Sequence, residues 1–468
     1  MNPEFRRNIW LELTTHRVIA MPLILSLIFG LTISLSGSVF DRSVSHVAGT
    51  AFVLLVIVWG CRQSAEAVLS EISTRTWDHQ RLSSLSAWNM TWGKLYGAPI
   101  FSLYGGLFCL LVLFLSTTGE HSFQKSLLIT ILYALCGLFA QSFAMFLSLA
   151  GLRQGRAYTW RRSAFYQVLA ILMGLQILIP TLISSTFEEL RTDITWYGFV
   201  FPGLLFYICS IALFYIWSII GLHQLMRKEL QITNSPLLWS LFIVFALFYC
   251  SGLIKEDSTI FEKTHEEWVW QIRIYSACIT CWLITLFAVF FEAKDVVLLR
   301  RLYAAVKSRH WQQVGYLIPR WAIAFCFVLI SLAISLILPL PTSNAIFGPN
   351  NTPDFFRQTL VSQTLFLLRD IGIFMLFCLG NKRQGGEFAV LIYLSLLYIV
   401  LPQMLNAFGG EDVLFIFYSI LAENWLEAIL PGLLQTALIA VLLKLHWQKL
   451  SRKAHSDVPI EEGNSATA

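Results

Sequence analysis

Val18-Ile-Ala-Met-Pro-Leu-Ile-Leu-Ser-Leu-Ile-Phe-Gly-Leu-Thr-Ile-Ser-Leu-Ser-Gly37 is a run of 20 residues without a single charge. As a helix it would be about 30 Å long, the depth of a bilayer's hydrocarbon core. Backbone polar groups in lipid have no water to bond, so such a run reads as a helix rather than an open strand. Eleven further apolar runs follow it: Val47–Val68, Leu95–Ser116, Ser126–Leu149, Ala164–Thr186, Tyr197–Leu222, Pro236–Ile254, Ile272–Phe291, Trp321–Leu340, Thr359–Gly380, Phe388–Phe408 and Ala428–Leu443. Composition agrees. Of 468 residues, 56% are hydrophobic and 13% charged, against about 25% charged in soluble domains. So few charges cannot clothe a water-soluble surface. The chain is expected to be an all-α polytopic membrane protein with about twelve transmembrane helices.

Lys and Arg set the expected orientation, because they collect in cytoplasmic loops. With the N-terminus inside, alternate loops place 24 of the 33 Lys and Arg on the inner face and six on the outer. The remaining three, Arg62, Arg273 and Arg369, fall within or at the ends of spans. Both termini are therefore expected in the cytoplasm, at a bacterial inner membrane. The net charge of +5 follows from this topology and gives no reason to expect nucleic acid. Residues 1–17 lack a long apolar core and include Glu4 and Glu12, so the first span should stay as an anchor. Phe5, Ile9 and Leu13, with Trp10 beside them, suit an amphipathic helix along the inner membrane surface.

The runs divide at Asn234-Ser235-Pro236 into two six-helix halves, 1–235 and 236–450, followed by a polar tail, 451–468, that reads as disordered. The halves share a layout. In the first, a polar segment begins at Glu71 and the next span carries Pro99; in the second, the segment begins at Glu292 and the next span follows Pro319. This suggests an internal duplication. All nine cysteines lie in or beside apolar runs, and Cys278-x-x-Cys281 reads as packed small hydrophobes rather than a metal site. No phosphate-binding Gly-x-x-x-x-Gly-Lys-Ser/Thr loop is present; Gly380-Asn-Lys-Arg-Gln-Gly-Gly386 reads as a tight inner turn.

The polar segment Glu71–Lys94 is the candidate functional region. Its Glu71, Thr76, Asp78, Leu82, Leu85, Ser86, Trp88, Gly93, Lys94 and Leu95 resemble the loop after the second span of type-two ABC exporter permeases. Arg75 replaces that family's Gly, and Ser84 and Ala87 replace its prolines. The resemblance implies a short coupling helix docked in a groove of a separate cytoplasmic ABC ATPase. ATP and Mg would then bind that partner, with no cofactor in this chain. Trp77 and Trp88 would supply apolar anchors, while Arg75, Asp78 and Arg81 would set register through charge pairs. Solvation of a helix end and anchoring of tryptophans at the interface are the plain alternative. If one chain does the work of two six-span subunits, Lys294–Trp311 would be a second docking segment.

Arg369 and Asp370 sit mid-span, where ionisable groups are costly. Adjacent helix positions point in different directions, so each is expected to pair with another span. A substrate or proton role and a structural bridge both fit. Arg62 and Glu66, four apart, suit a local pair or a partner contact. The four arginines of Arg153–Arg162, with Tyr158 and Trp160, are explained by positive-inside topology, a lipid-phosphate or partner contact being the alternative. Three functions are open: an ABC exporter permease with an unknown substrate, an ion-coupled secondary transporter, and a membrane enzyme on lipid-linked substrates using Glu188, Glu189, Asp193, Glu411 and Asp412.

Overall fold

A computed structural model describes residues 2–74, 76–82, 85–152, 160–179, 193–232, 234–254, 266–292, 294–338, 355–379, 386–418, 422 and 424–456. Arg75, Arg153, Arg156, Tyr158, Glu188, Glu189, most of the Gly380–Gly386 turn and the tail from 457 lie outside these residues. The chain divides into two compact units, Met1–Asn234 and Ser235–Ala468.

The first unit opens with α1 (Pro3–Glu12), whose first turn is capped by the Asn2 side chain accepting from the Glu4 N–H at 3.0 Å. The chain breaks at Leu13 and enters α2 (Thr15–Ser36). Leu23, Leu27, Leu31 and Leu35 form an exposed stripe on α2, while Met21, Leu25 and Phe29 are buried. An apolar stripe this long is disfavoured in water and suited to lipid. Asp41 caps α3 (Arg42–Phe52), and hydrogen bonds from the Ser43 side chain and N–H hold its carboxyl below the usual range. A π-helical stretch, Val53–Trp59, joins α3 to α4 (Gly60–Ser73). Then come α5 (Trp77–Arg81), α6 (Ala87–Gly97), α7 (Ile100–Thr117), α8 (Phe123–Leu152), α9 (Trp160–Leu175) and α10 (Gly203–Glu229).

One boundary differs from expectation. The sixth apolar run was to begin at Tyr197, but β1 (Ile194–Trp196) and β2 (Phe199–Phe201) form an antiparallel hairpin and the helix starts at Gly203. Tyr197 and Gly198 both have positive φ, 50° and 79°. A two-residue turn of that kind matches the strand twist, and Pro202 then marks the helix start. Apolar content alone could not separate this hairpin from helix.

The second unit contains α11 (Leu237–Gly252), α12 (Glu266–Phe291), α13 (Val296–Lys307), α14 (Trp311–Leu317), α15 (Arg320–Ile337) and α16 (Phe355–Cys378). After α17 (Gly386–Ser395), a π stretch, Leu396–Val400, leads to α18 (Leu401–Ala407). The last helix is α19 (Trp425–Ser456), which continues into the stretch expected to be disordered. Its core joins Ile243, Cys278, Cys281, Val328, Leu367 and Phe374.

Among the described residues, ten helical segments are long and apolar enough to cross a membrane. The expected fifth and seventh runs are the shorter apolar helices Ala164–Leu175 and Leu237–Gly252. A 16-residue helix such as α11 extends about 24 Å, less than the hydrocarbon depth. The chain is an all-α polytopic membrane protein.

Each unit packs its helices in the same order. In the first, α3–α4 lies against α7 and α8, and α8 lies against α9 and α10. In the second, α12 lies against α15 and α16, and α16 lies against α17 and α19. Shared packing order extends the sequence-level resemblance between the halves.

Candidate functional site

Glu71 lies in the last turn of α4. The chain leaves that helix in a tight turn: the Thr76 N–H and hydroxyl both donate to the Glu71 carbonyl, at 2.9 and 3.2 Å. The Thr74 hydroxyl donates to the Ser70 carbonyl at 3.0 Å. These side-chain bonds compete with helix continuation and send the chain into the one-turn helix α5. Ser86 then caps α6 by accepting from the Asn89 N–H at 3.2 Å.

Lys94, on α6, is 1% exposed. Its Nζ donates to Glu4 Oε1 at 3.1 Å and to Glu71 Oε2. Arg7 Nη1 bridges the same two carboxylates, at 3.0 Å to Glu4 and 3.2 Å to Glu71. Gln80 Nε2 donates to Glu71 Oε1 at 2.9 Å. Two carboxylates and two cations thus balance in a largely buried cluster, which is the condition for tolerating charge away from water. The cluster ties together α1, α4, α5 and α6.

Glycine makes the seat. Gly93 and Gly97 face α1, and a Cβ at Gly93 would lie 2.7 Å from Glu4 Cβ. A Cβ at Gly97 would lie 2.8 Å from Asn8 Cβ. Any larger residue would push α1 away and separate Glu4 from Lys94.

The residues singled out in this segment divide into two groups. Trp77 is 4% exposed, with the Lys94 ammonium 5.4 Å from its ring centroid, so it is packed inward rather than free to anchor a partner. Glu71 and Thr76 build the turn. Leu82 is 88% exposed and Trp88 45%, and Asp78 is largely solvent-facing with Arg81 at 3.9 Å. The Trp88 ring meets Trp92 and His223 edge-on, with centroids 5.3 and 5.0 Å away. Of the described residues singled out in this segment, Thr76, Asp78, Leu82 and Trp88 are exposed and Arg81 is half-buried.

The charged pair in the second unit bonds to other helices, as expected, and also to itself. Arg369 and Asp370 bind each other: Nε and Nη2 of Arg369 donate to Asp370 Oδ1 at 2.9 and 2.8 Å. Neighbouring positions diverge on a helix, but the long Arg side chain curls back across the angle. Other helices close the network. Arg369 also donates to Gln435 on α19 and to the Tyr398 hydroxyl, and Tyr398 donates to Asp370 Oδ2 at 2.8 Å. Arg369 lies over the Phe366 and Tyr398 rings, 4.8 and 5.1 Å from their centroids. Arg62 and Glu66 form the local pair, at 3.3 Å.

Several of these residues escape sequence reading. Glu4, Arg7 and Gln80 join Glu71 from other segments, and Tyr398 and Gln435 join Arg369. The available signal was Lys94 beside Gly93, a lone cation next to a small residue at the threshold of a span. Glu292 carries another surprise: its Oε2 accepts from the N–H groups of Arg320 and Trp321, at 2.9 and 3.4 Å, and so caps α15. Among the described residues no group of three or more His, Cys, Asp or Glu is placed to hold a metal.

Fold and sites together define a polytopic membrane protein with one ionic cluster at the ends of its helices and another within them. No family model, curated protein or solved structure matches this chain.

Proposed function

We propose that this chain is the membrane-spanning permease of an ATP-driven transporter, an exporter, working with a separate cytoplasmic ATP-hydrolysing subunit. One observation carries the reading: Gln80 of the short helix α5 donates to Glu71, whose ion pair with Lys94, with Glu4 and Arg7, ties together the ends of α4, α6 and α1. A force applied at α5 acts on α4 through Glu71 and on α6 through Lys94. The exposed Leu82, Trp88 and Asp78 supply the apolar and charged contacts that a docking groove needs. The full reading has twelve crossings, with α9 and α11 included, and both termini in the cytoplasm of a bacterial inner membrane.

An ion-coupled secondary transporter would need an intramembrane carboxylate free to exchange its ion. Asp370 is bonded to Arg369 and Tyr398, which weighs against it.

The test is co-purification and reconstitution with an ATP-binding cassette subunit. Leu82→Asp with Trp88→Ala should lower binding at least about tenfold, the scale of interface hot spots, without unfolding the permease. Transport driven by an ion gradient in the isolated chain would overturn the proposal. So would labelling of a cysteine at Leu82 from the outer side.

A further inference from the structure

The segment between α12 and α15 is short and attached at both ends to helices of spanning length, α12 ending at Phe291 and α15 starting at Arg320. Connectivity therefore holds α13 close to the level where those helices leave the hydrocarbon. At 3.6 residues per turn, Leu298, Leu302, Val306 and Tyr303 share one side of α13, and Arg301 and Lys307 border that side on either edge. Much of the apolar side is exposed: Leu298 and Val306 are exposed, Tyr303 is 72% exposed, and Leu302 is half-buried. Trp311 follows at 69% exposure, with Tyr316 also exposed. Aromatic residues of this kind concentrate at the membrane–water boundary.

Charge identifies the occupant. Residues 296–320 contain Arg300, Arg301, Lys307, Arg309 and Arg320 and no Asp or Glu. The two nearby acids are engaged with backbone: Asp295 accepts from the Val297 N–H at 2.9 Å, and Glu292 caps α15. Among the described residues Arg301, Lys307 and Arg309 have no ion-pair partner. An apolar side flanked by unneutralised cations is the pattern of a helix lying in an anionic lipid surface.

We infer that α13 is an interfacial helix that beds its Leu298–Tyr303–Val306 side into the bilayer and binds anionic phospholipid headgroups through Arg301, Lys307 and Arg309. This does not depend on the permease reading. It gives the segment in the second half a partner different from the one proposed for Glu71–Lys94.

The test uses the full chain in nanodiscs of phosphatidylcholine alone or with one quarter phosphatidylglycerol. A fluorophore is placed on Val306→Cys, with the exposed Cys209 and Cys326 replaced by Ser, and brominated acyl chains act as quencher. Quenching should be about threefold greater with the anionic lipid, consistent with the attraction of juxtamembrane basic residues to such surfaces. It should fall to the zwitterionic level in Arg301→Gln/Lys307→Gln/Arg309→Gln. Equal quenching in both lipids, or quenching unchanged in the triple Gln variant, would overturn the inference.

Discussion

The two halves pack five corresponding helical elements in the same order but put their charges in different places. In the first, the ionic cluster sits where α4, α6 and α1 meet at the ends of helices, and the bundle interior is held by neutral groups. Gln141 Nε2 donates to the Val56 carbonyl at 3.0 Å, and the Ser142 and Ser218 hydroxyls meet at 2.7 Å between α8 and α10. In the second, the equivalent seam between α16 and α19 carries Arg369, Asp370 and Gln435, while the acid Glu292 caps α15. Both seams are closed by polar contacts. One is neutral and the other is ionic, and the ionic one needs residues from three helices to satisfy it. A buried ion pair is weak evidence for stability, because desolvation offsets its attraction, but breaking one by removing a single partner is costly. The second unit thus carries its buried charges in the bundle interior, and the first carries them where its N-terminal helix and loop attach.

Substitution at Arg369 should show the largest effect. Arg369→Met leaves Asp370 without its cation in a buried setting and should cost about 3–5 kcal/mol, read as a lower unfolding midpoint in detergent. The double variant Arg369→Met/Asp370→Leu should recover most of that loss. If it stays as unstable as the single variant, the ionic seam is not what distinguishes the second half.

Lys94→Met comes next, at about 2–4 kcal/mol, because half-exposed Arg7 still offsets part of the charge on Glu4 and Glu71. Its signature should be local, with faster proteolysis within α1 than within α7. Uniform destabilisation of the unit would remove the contrast between an attachment cluster and a seam cluster.

The neutral contacts should matter least. Gln141→Leu strands the Val56 carbonyl and should cost about 1–3 kcal/mol, whereas Ser142→Ala should cost about 0.6 kcal/mol, the mean for interhelical bonds in membranes. A Ser142→Ala effect as large as that of Arg369→Met would show that the two seams work alike.

The apolar runs made the membrane-protein class legible, because length and lack of charge are one-dimensional properties. Helix ends near Gly37 and Asp41 follow from ordinary capping chemistry. Less legible was whatever depended on partners distant in the chain. Trp77 resembles an exposed anchor in the sequence, yet Lys94, 17 residues later, draws it inward. Glu4 resembles a solvated terminal acid until Gly93 admits α1. Arg369 was conspicuous from its position, but Tyr398 and Gln435, which complete its bonding, are ordinary residues of their own helices. The hairpin at Tyr197–Gly198 was hidden because apolar strands and apolar helices share a composition.

The widened turns at Val53–Trp59 have a geometric consequence for Glu71. A π insertion amounts to one extra residue in an α-helix, and Gln141 satisfies the carbonyl of Val56 within it. Deleting one residue there would restore the common repeat and swing everything below it by roughly 100° about the axis. Glu71 would then face away from Lys94. The irregular stretch is a phase offset, and the azimuth of a carboxylate more than two turns further on depends on it.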